Sequence, residues 1–233
     1  MIDSYVALDV ETTGLNPKQD KIIEIGMVRV RSGEITAKME TFINPGRKLE
    51  EHIVKLTGIR DEHLADAPDI EDVLPDALHF IGDDILVGHG ILFDYSFMKK
   101  AAVNQRLVFE RKGIDTLKIA KLFLPELKSR SLLFLCEYYG IAHNAHRALA
   151  DAEAAARLYQ KLAALFYQGN ETAFEPNRLM YQVKRETPIT IPQKEQLYKL
   201  LDRHKLTVDY QVEKLTRNEA SRIIGRLLAE YGR

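Results

Sequence analysis

Three extended apolar runs stand side by side at the head of the chain, and the way they are joined limits the fold more than anything that follows. Tyr5 to Val10 is short and partly β-branched, Lys21 to Val30 is rich in Ile and Val, and Ile35 to Ile43 ends at Asn44-Pro45-Gly46. The second and third runs are separated by Arg31-Ser32-Gly33-Glu34, and a Ser-Gly pair between two such runs predicts an antiparallel hairpin. The chain therefore opens as three neighbouring strands.

From Asp69 onward the apolar period lengthens. Ile70, Val73, Leu74, Ala77, Leu78 and Ile81 recur at helical steps behind Asp69, an N-cap residue, which predicts an amphipathic helix that Pro75 shortens or kinks. Ile85 to Val87 is a brief buried strand. Phe93 to Val103, Thr116 to Phe123, Leu132 to Tyr139 and Ala148 to Phe166 carry helical spacing. A meander followed by alternating short strands and helices predicts an α/β layer architecture around a mixed sheet.

Gln168 to Glu175 breaks the periodicity and reads as a linker. Pro192 then stands at the start of a helix striped by Leu197, Leu200 and Leu201. Thr216 with Glu219 is a capping-box pattern opening a second helix that carries Ala220, Ile223, Ile224, Leu227 and Leu228. The expected division is a main domain over residues 1–168, a linker over 169–190 and a small helical module over 191–233.

A chain of 233 residues with 45% hydrophobic and 29% charged residues can bury one sizeable core, which excludes collagen-like, disulfide-scaffold and wholly disordered classes. Lys and Arg total 33 against 34 Asp and Glu, so no basic surplus supports nucleic-acid binding by bulk charge. The charge is nevertheless uneven, because Glu175 to Arg233 holds 12 Lys and Arg against 8 Asp and Glu. A solvated helix face accounts for that excess as well as a nucleic-acid contact does. The single Cys136 excludes an internal disulfide. No apolar run approaches the roughly 18 residues of a membrane span, and Met1-Ile2-Asp3-Ser4 lacks the positive charge that opens a secretory signal. A cytoplasmic location without membrane partners is expected.

The strongest chemical signal is Leu8-Asp9-Val10-Glu11-Thr12-Thr13-Gly14. On a strand, Asp9 and Glu11 point to the same face. Two adjacent carboxylates at the end of a buried strand repel unless a cation neutralises them or their pKa values shift. Thr12, Thr13 and Gly14 add hydroxyls, N–H groups and a flexible approach for a ligand. Two later stretches, Gly88-His89-Gly90-Ile91-Leu92-Phe93-Asp94 and His143-Asn144-Ala145-His146-Arg147-Ala148-Leu149-Ala150-Asp151, offer third and fourth carboxylates. Asp94 or Asp151 alone would be explained equally well as a first-turn acid favoured by the helix dipole.

With these residues in order, the sequence resembles the DnaQ-like 3′-to-5′ exonucleases, the DEDDh group, over roughly residues 4–166. The first motif is similar to Asp9 to Leu15, the second to Val87 to Asp94 and the third to His146 to Asp151, with further likeness at Ile22 to Gly26, Leu56 to Ile59 and Asp115 to Leu117. The resemblance implies an RNase H-like fold with a central mixed five-stranded sheet flanked by helices, and two Mg²⁺ or Mn²⁺ ions. By the same resemblance Asp9 would bridge both ions, Glu11 and Asp151 would complete one site, and Asp94 would hold the other through water. His146 would be the general base. His143 competes for that role, but the spacing of five residues to Asp151 favours His146, leaving His143 as an exposed loop residue. Thr12, Thr13, Gly14 and Leu15 would hold the terminal nucleotide, Leu15 as a wedge, and Phe93 would lie against a sugar or base unless it simply packs in the core. The family commonly has Asn where Gly90 stands.

The activity implied is release of nucleoside 5′-monophosphates from the 3′ end of single-stranded or frayed DNA, in the manner of proofreading domains associated with a DNA polymerase. RNA 3′-end trimming and a polymerase-docking role with little activity remain as alternatives.

Overall fold

The computed structural model describes residues 1–143 and 146–232. Strands β1 (Tyr5–Thr12), β2 (Ile22–Arg31) and β3 (Glu34–Phe42) form the expected meander. Ser32 and Gly33 both have positive φ, 49° and 82°, as the tight hairpin between β2 and β3 requires. Two short helices, α1 (Glu51–Thr57) and α2 (Asp61–Leu64), pack Ile53 and Leu64 beneath Ile23. Helix α3 (Ile70–Ile81) runs through Pro75 unbroken. Then come β4 (Leu86–Gly88), α4 (Leu92–Asn104), β5 (Lys112–Asp115), α5 (Thr116–Phe123), α6 (Leu132–Tyr139) and the long α7 (Ala148–Phe166).

The sheet has six strands in the order β3-β2-β1-β4-β5-β6, with β1, β4 and β5 parallel and the rest antiparallel. The expected five become six because β6 (Asn177–Arg178) pairs with the edge of β5. Two exposed residues inside a stretch read as a linker leave no periodic trace. That stretch is also less loose than expected. A 3₁₀ turn at Glu171–Phe174 buries Phe174, and Glu186 forms a 2.9 Å ion pair with the buried Lys100 of α4.

Strand alternation sorts β1 into two cores. Val6, Leu8 and Val10 face α3 and α4, together with Leu74, Ile81, Tyr95 and Met98, whereas Tyr5 and Ala7 face α7, together with Ala152, Tyr159 and Leu162. Asp9 and Glu11 continue the α7-facing series beyond the apolar part of that face. This parity is what aims both carboxylates at the N-terminal turns of α7.

At the C-terminal end, α8 (Ile191–Arg203) and α9 (Arg217–Tyr231) pack on each other through Leu197, Leu201, Ala220 and Ile224. Thr190 and Thr216 each accept the N3 backbone N–H, so both helices open with a capping box. Asp69 holds the N-cap position of α3 but does not cap it. Its carboxylate instead pairs with Lys214, tying this two-helix module to the start of α3.

Candidate active site

Three carboxylates converge where β1 meets α7. Oxygen atoms of Asp9, Glu11 and Asp151 lie within 4.8 Å of one another. Asp94 reaches the same place from the opposite face of the sheet: its Oδ1 accepts the Val10 N–H at 3.0 Å, between the two β1 acids. Burial and then the charges of Asp94, Asp151 and Glu11 hold the Asp9 carboxyl well above the usual carboxylate range. Burial and the neighbouring Asp151 and Glu24 push Glu11 up to about 7. Burial pushes Asp94 up to about 8 despite its backbone hydrogen bonds. Such crowding of hard oxygen donors, with protons held only through mutual repulsion and desolvation, fits divalent cations.

A second group of residues holds this cluster in place. Glu24 on β2 is fully buried and lies opposite Glu11 in the β1–β2 register. Its Oε2 accepts the Ala148 N–H at 3.0 Å, and its Oε1 accepts from Arg147 Nε and Nη2 at 3.1 and 2.9 Å. One side chain thus fixes the first residue of α7, three positions before Asp151. Gly26, paired with Asp9, allows α7 to approach: a Cβ there would lie 2.0 Å from the Ala148 carbonyl carbon. Glu24 and Gly26 received no role from the sequence, although a lone Glu in the run Ile22-Ile23-Glu24-Ile25-Gly26 was a visible signal of a buried ion pair.

The Gly88–Ile91 turn is braced in turn. Asp115 Oδ1 accepts the N–H of Gly90 at 2.9 Å and of Leu117 at 3.0 Å, while the His89 ring lies between the Thr116 hydroxyl at 2.9 Å and the Arg130 carbonyl at 2.7 Å. Burial lowers the His89 pKa. Gly90 has φ of 87°, a backbone position that glycine takes without strain, and a Cβ there would meet nothing closer than 3.9 Å. The brace needs no side chain at residue 90.

The two loop histidines are placed differently from expectation. His143 is not exposed: its side chain is 3% accessible and its Nε2 pairs with Asp151 Oδ1. His146 has an exposed ring and φ of 66°, and it touches the cluster through its backbone N–H, which donates to Asp151 Oδ2 at 3.0 Å. Spacing along the chain separated the two by their distance from Asp151, but not by which ring turns inward.

The loop after β1 is ordered by its own side chains. Thr12 Oγ1 donates to the Gly14 carbonyl at 2.7 Å, and Gly14 lies against the Asp20 carboxylate, which a Cβ would meet at 2.6 Å. The Thr13 hydroxyl accepts from the Lys21 N–H at 3.0 Å and from Arg47 Nη2 at 2.5 Å. Leu15 at the tip is 84% exposed. Phe93 is half-buried, its ring 5.0 Å from that of Phe97.

Comparison with known proteins agrees with this geometry. The sequence model of the RNase_T exonuclease family matches residues 6–159, which include all four carboxylates and both histidines. The chain belongs to that exonuclease family. It is 38% identical over 231 residues to the PolC-type DNA polymerase III of Oceanobacillus iheyensis, covering 93% of this chain and 16% of that protein. To the Bacillus subtilis PolC-type polymerase it is 45% identical over 163 residues, 69% of this chain and 11% of the relative. The chain therefore spans about a sixth or less of these relatives. Among solved structures, Exonuclease X in complex with 5′-overhanging duplex DNA superposes with a TM-score of 0.55 at 28% identity, covering 69% of this chain and 92% of that one. The family works with divalent metal ions, and this exonuclease presents carboxylates suited to them. Among its described residues no helix is long and apolar enough to cross a membrane.

Proposed function

We propose that this exonuclease removes nucleotides from the 3′ end of DNA, releasing nucleoside 5′-monophosphates, with two Mg²⁺ or Mn²⁺ ions held by Asp9, Glu11, Asp94 and Asp151. The observation that carries this reading is the convergence of Asp9, Glu11 and Asp151 within 4.8 Å, with Asp94 anchored between the β1 acids by the Val10 N–H. The relatives named for DNA synthesis and the neighbour bound to DNA support DNA as substrate.

Asp9, Glu11, Asp94 and Asp151 would hold divalent ions, which would supply charge neutralisation, a more acidic attacking water and stabilisation of the leaving oxygen. Asp9 and Glu11 supply ligands from a rigid strand, and Asp151 supplies its own from an α7 fixed by Glu24. The exposed Leu15 and the half-buried Phe93 offer apolar surface to the terminal nucleotide. Thr12, Thr13 and Gly14 hold the loop that presents Leu15. His146 acts as general base by turning its ring inward from a main chain that already touches Asp151. The water oxygen bonds to the last internucleotide phosphorus, its proton passes to the imidazole, and the bond to the 3′ oxygen of the preceding nucleotide breaks. That oxygen is protonated from solvent.

Digestion of matched 5′-labelled single-stranded DNA and RNA with Mg²⁺, Mn²⁺ or EDTA tests this. A metal-dependent ladder shortening from the 3′ end, faster on DNA and lost in His146→Ala, is the expected result. Faster loss of RNA would move the substrate to exoribonuclease work. No cleavage of either strand would replace the enzymatic reading with docking to a polymerase.

A further inference from the structure

The two-helix module lies outside the residues matched by the exonuclease family, yet it is docked beside the β1 loop. Gln211 N–H donates to the Gly46 carbonyl and Lys48 N–H to the Asp209 carbonyl, both at 2.8 Å, while Lys21 pairs with Glu219 at 3.5 Å. Between module and domain runs a groove of about 450 Å³. Thr13, two residues after Glu11 on the active-site loop, lines this groove together with residues of α9.

The groove is cationic on both walls. Lys21, Arg47 and Lys48 line it from the domain, and Lys214, Arg222 and Arg226 from the module, against the acids Glu50, Asp209 and Glu219. Lys21 is paired with Glu219, Arg47 with Asp20 and Lys214 with Asp69. Lys48, Arg222 and Arg226 have no carboxylate within salt-bridge distance among the described residues. Arg222 and Arg226 are exposed and one helical turn apart, so they present charge along one face of α9. Tyr210, half-buried in the same groove, adds an aromatic face. Cations along a channel together with an aromatic platform are the two elements by which proteins hold single-stranded nucleic acid without reading its sequence.

We infer that this groove carries the single strand on the 5′ side of the scissile nucleotide, with Lys48, Arg222 and Arg226 on its phosphates and Tyr210 against a base. The module is then a substrate-holding extension of the exonuclease, and its local basic excess acts where the whole chain has none. This inference rests on the proposed nuclease activity for its substrate class, so binding and cleavage are tested separately.

Binding is measured by anisotropy of a fluorescent oligo-dT of about 20 nucleotides in EDTA, for wild type and Arg222→Glu/Arg226→Glu. A loss of about tenfold or more in affinity, with a shallower salt dependence, is expected; equal binding overturns the inference. Kinetics in Mg²⁺ then compare this strand with a dinucleotide, whose single internucleotide phosphate is the scissile one. The variant should raise KM for the long strand and leave the dinucleotide unchanged, and Lys48→Glu should do the same from the opposite wall. Equal effects on both lengths would mean general damage and overturn the assignment. Wild type that binds but cuts neither strand refutes the nuclease reading and leaves the groove standing. A variant that binds and cuts normally but loses a co-purifying protein reassigns the groove to that partner.

Discussion

Glu11 and Glu24 lie opposite each other on β1 and β2, yet they belong to contrasting environments. Glu24 is fully buried and its side chain accepts hydrogen bonds from the Arg147 guanidinium and the Ala148 N–H. Glu11 converges with Asp9 and Asp151, and burial followed by the charges of Asp151 and Glu24 pushes it up to about 7. One residue is a finished ion pair holding α7 to the sheet. The other belongs to a cluster in which carboxylates face one another. The difference teaches that burial alone does not mark a functional carboxylate; convergence with other carboxylates does. The braced side makes the unbalanced side possible, because Glu24 keeps Asp151 close to acids it would otherwise avoid.

The largest effect should follow from removing the unbalanced side. Asp9→Asn is expected to lower nucleotide release about a thousandfold or more while the protein stays folded, as checked by gel-based digestion beside circular dichroism. Activity near that of wild type would sink the metal-cluster reading. Next come the two histidines. His146→Ala should cost about 10²–10⁴-fold in kcat, and His143→Ala less than about tenfold. The reverse order would assign the base to the ring now paired with Asp151.

The braced side should answer in stability. Glu24→Gln leaves the Arg147 guanidinium without its buried partner and weakens the anchor of Ala148, for an expected loss of about 2 kcal/mol in urea unfolding. No loss would mean that α7 is held by its apolar face alone.

The smallest effect is a dependence on pH. Glu11 and Asp94 keep their protons to about 7 and about 8, above the ordinary carboxyl range, so the folded metal-free protein binds more protons than the unfolded chain in that interval. Their contribution to stability is therefore present at low pH and is lost as pH rises through 7 to 8. In EDTA the melting temperature should fall by roughly a few degrees from pH 5.5 to 8.5, and Mg²⁺ should flatten the decline. A Tm that rises over this range in EDTA would place the cluster's protons elsewhere.

Much of this protein was determined by its sequence. The meander followed from three apolar runs and Ser32-Gly33, and helices such as Ala148 to Phe166 from local apolar period, all features acting over a few residues. Asp9 and Glu11 had to share a face because strand side chains alternate, and the ordered motifs around Asp94 and Asp151 pointed to one acidic site. The tertiary structure decided what depends on partners far along the chain. It added β6 to the sheet edge, sent Asp69 to Lys214 instead of its own helix, and set Glu24 against residues more than a hundred positions away. It turned His143 rather than His146 onto Asp151, and it laid Arg222 and Arg226 along a groove that Thr13 also lines. Local propensity and spacing act within a few residues. Which charge meets which partner across the fold is chosen by packing, since a buried or crowded carboxylate is stable only where the folded chain brings it a donor, a cation or a proton.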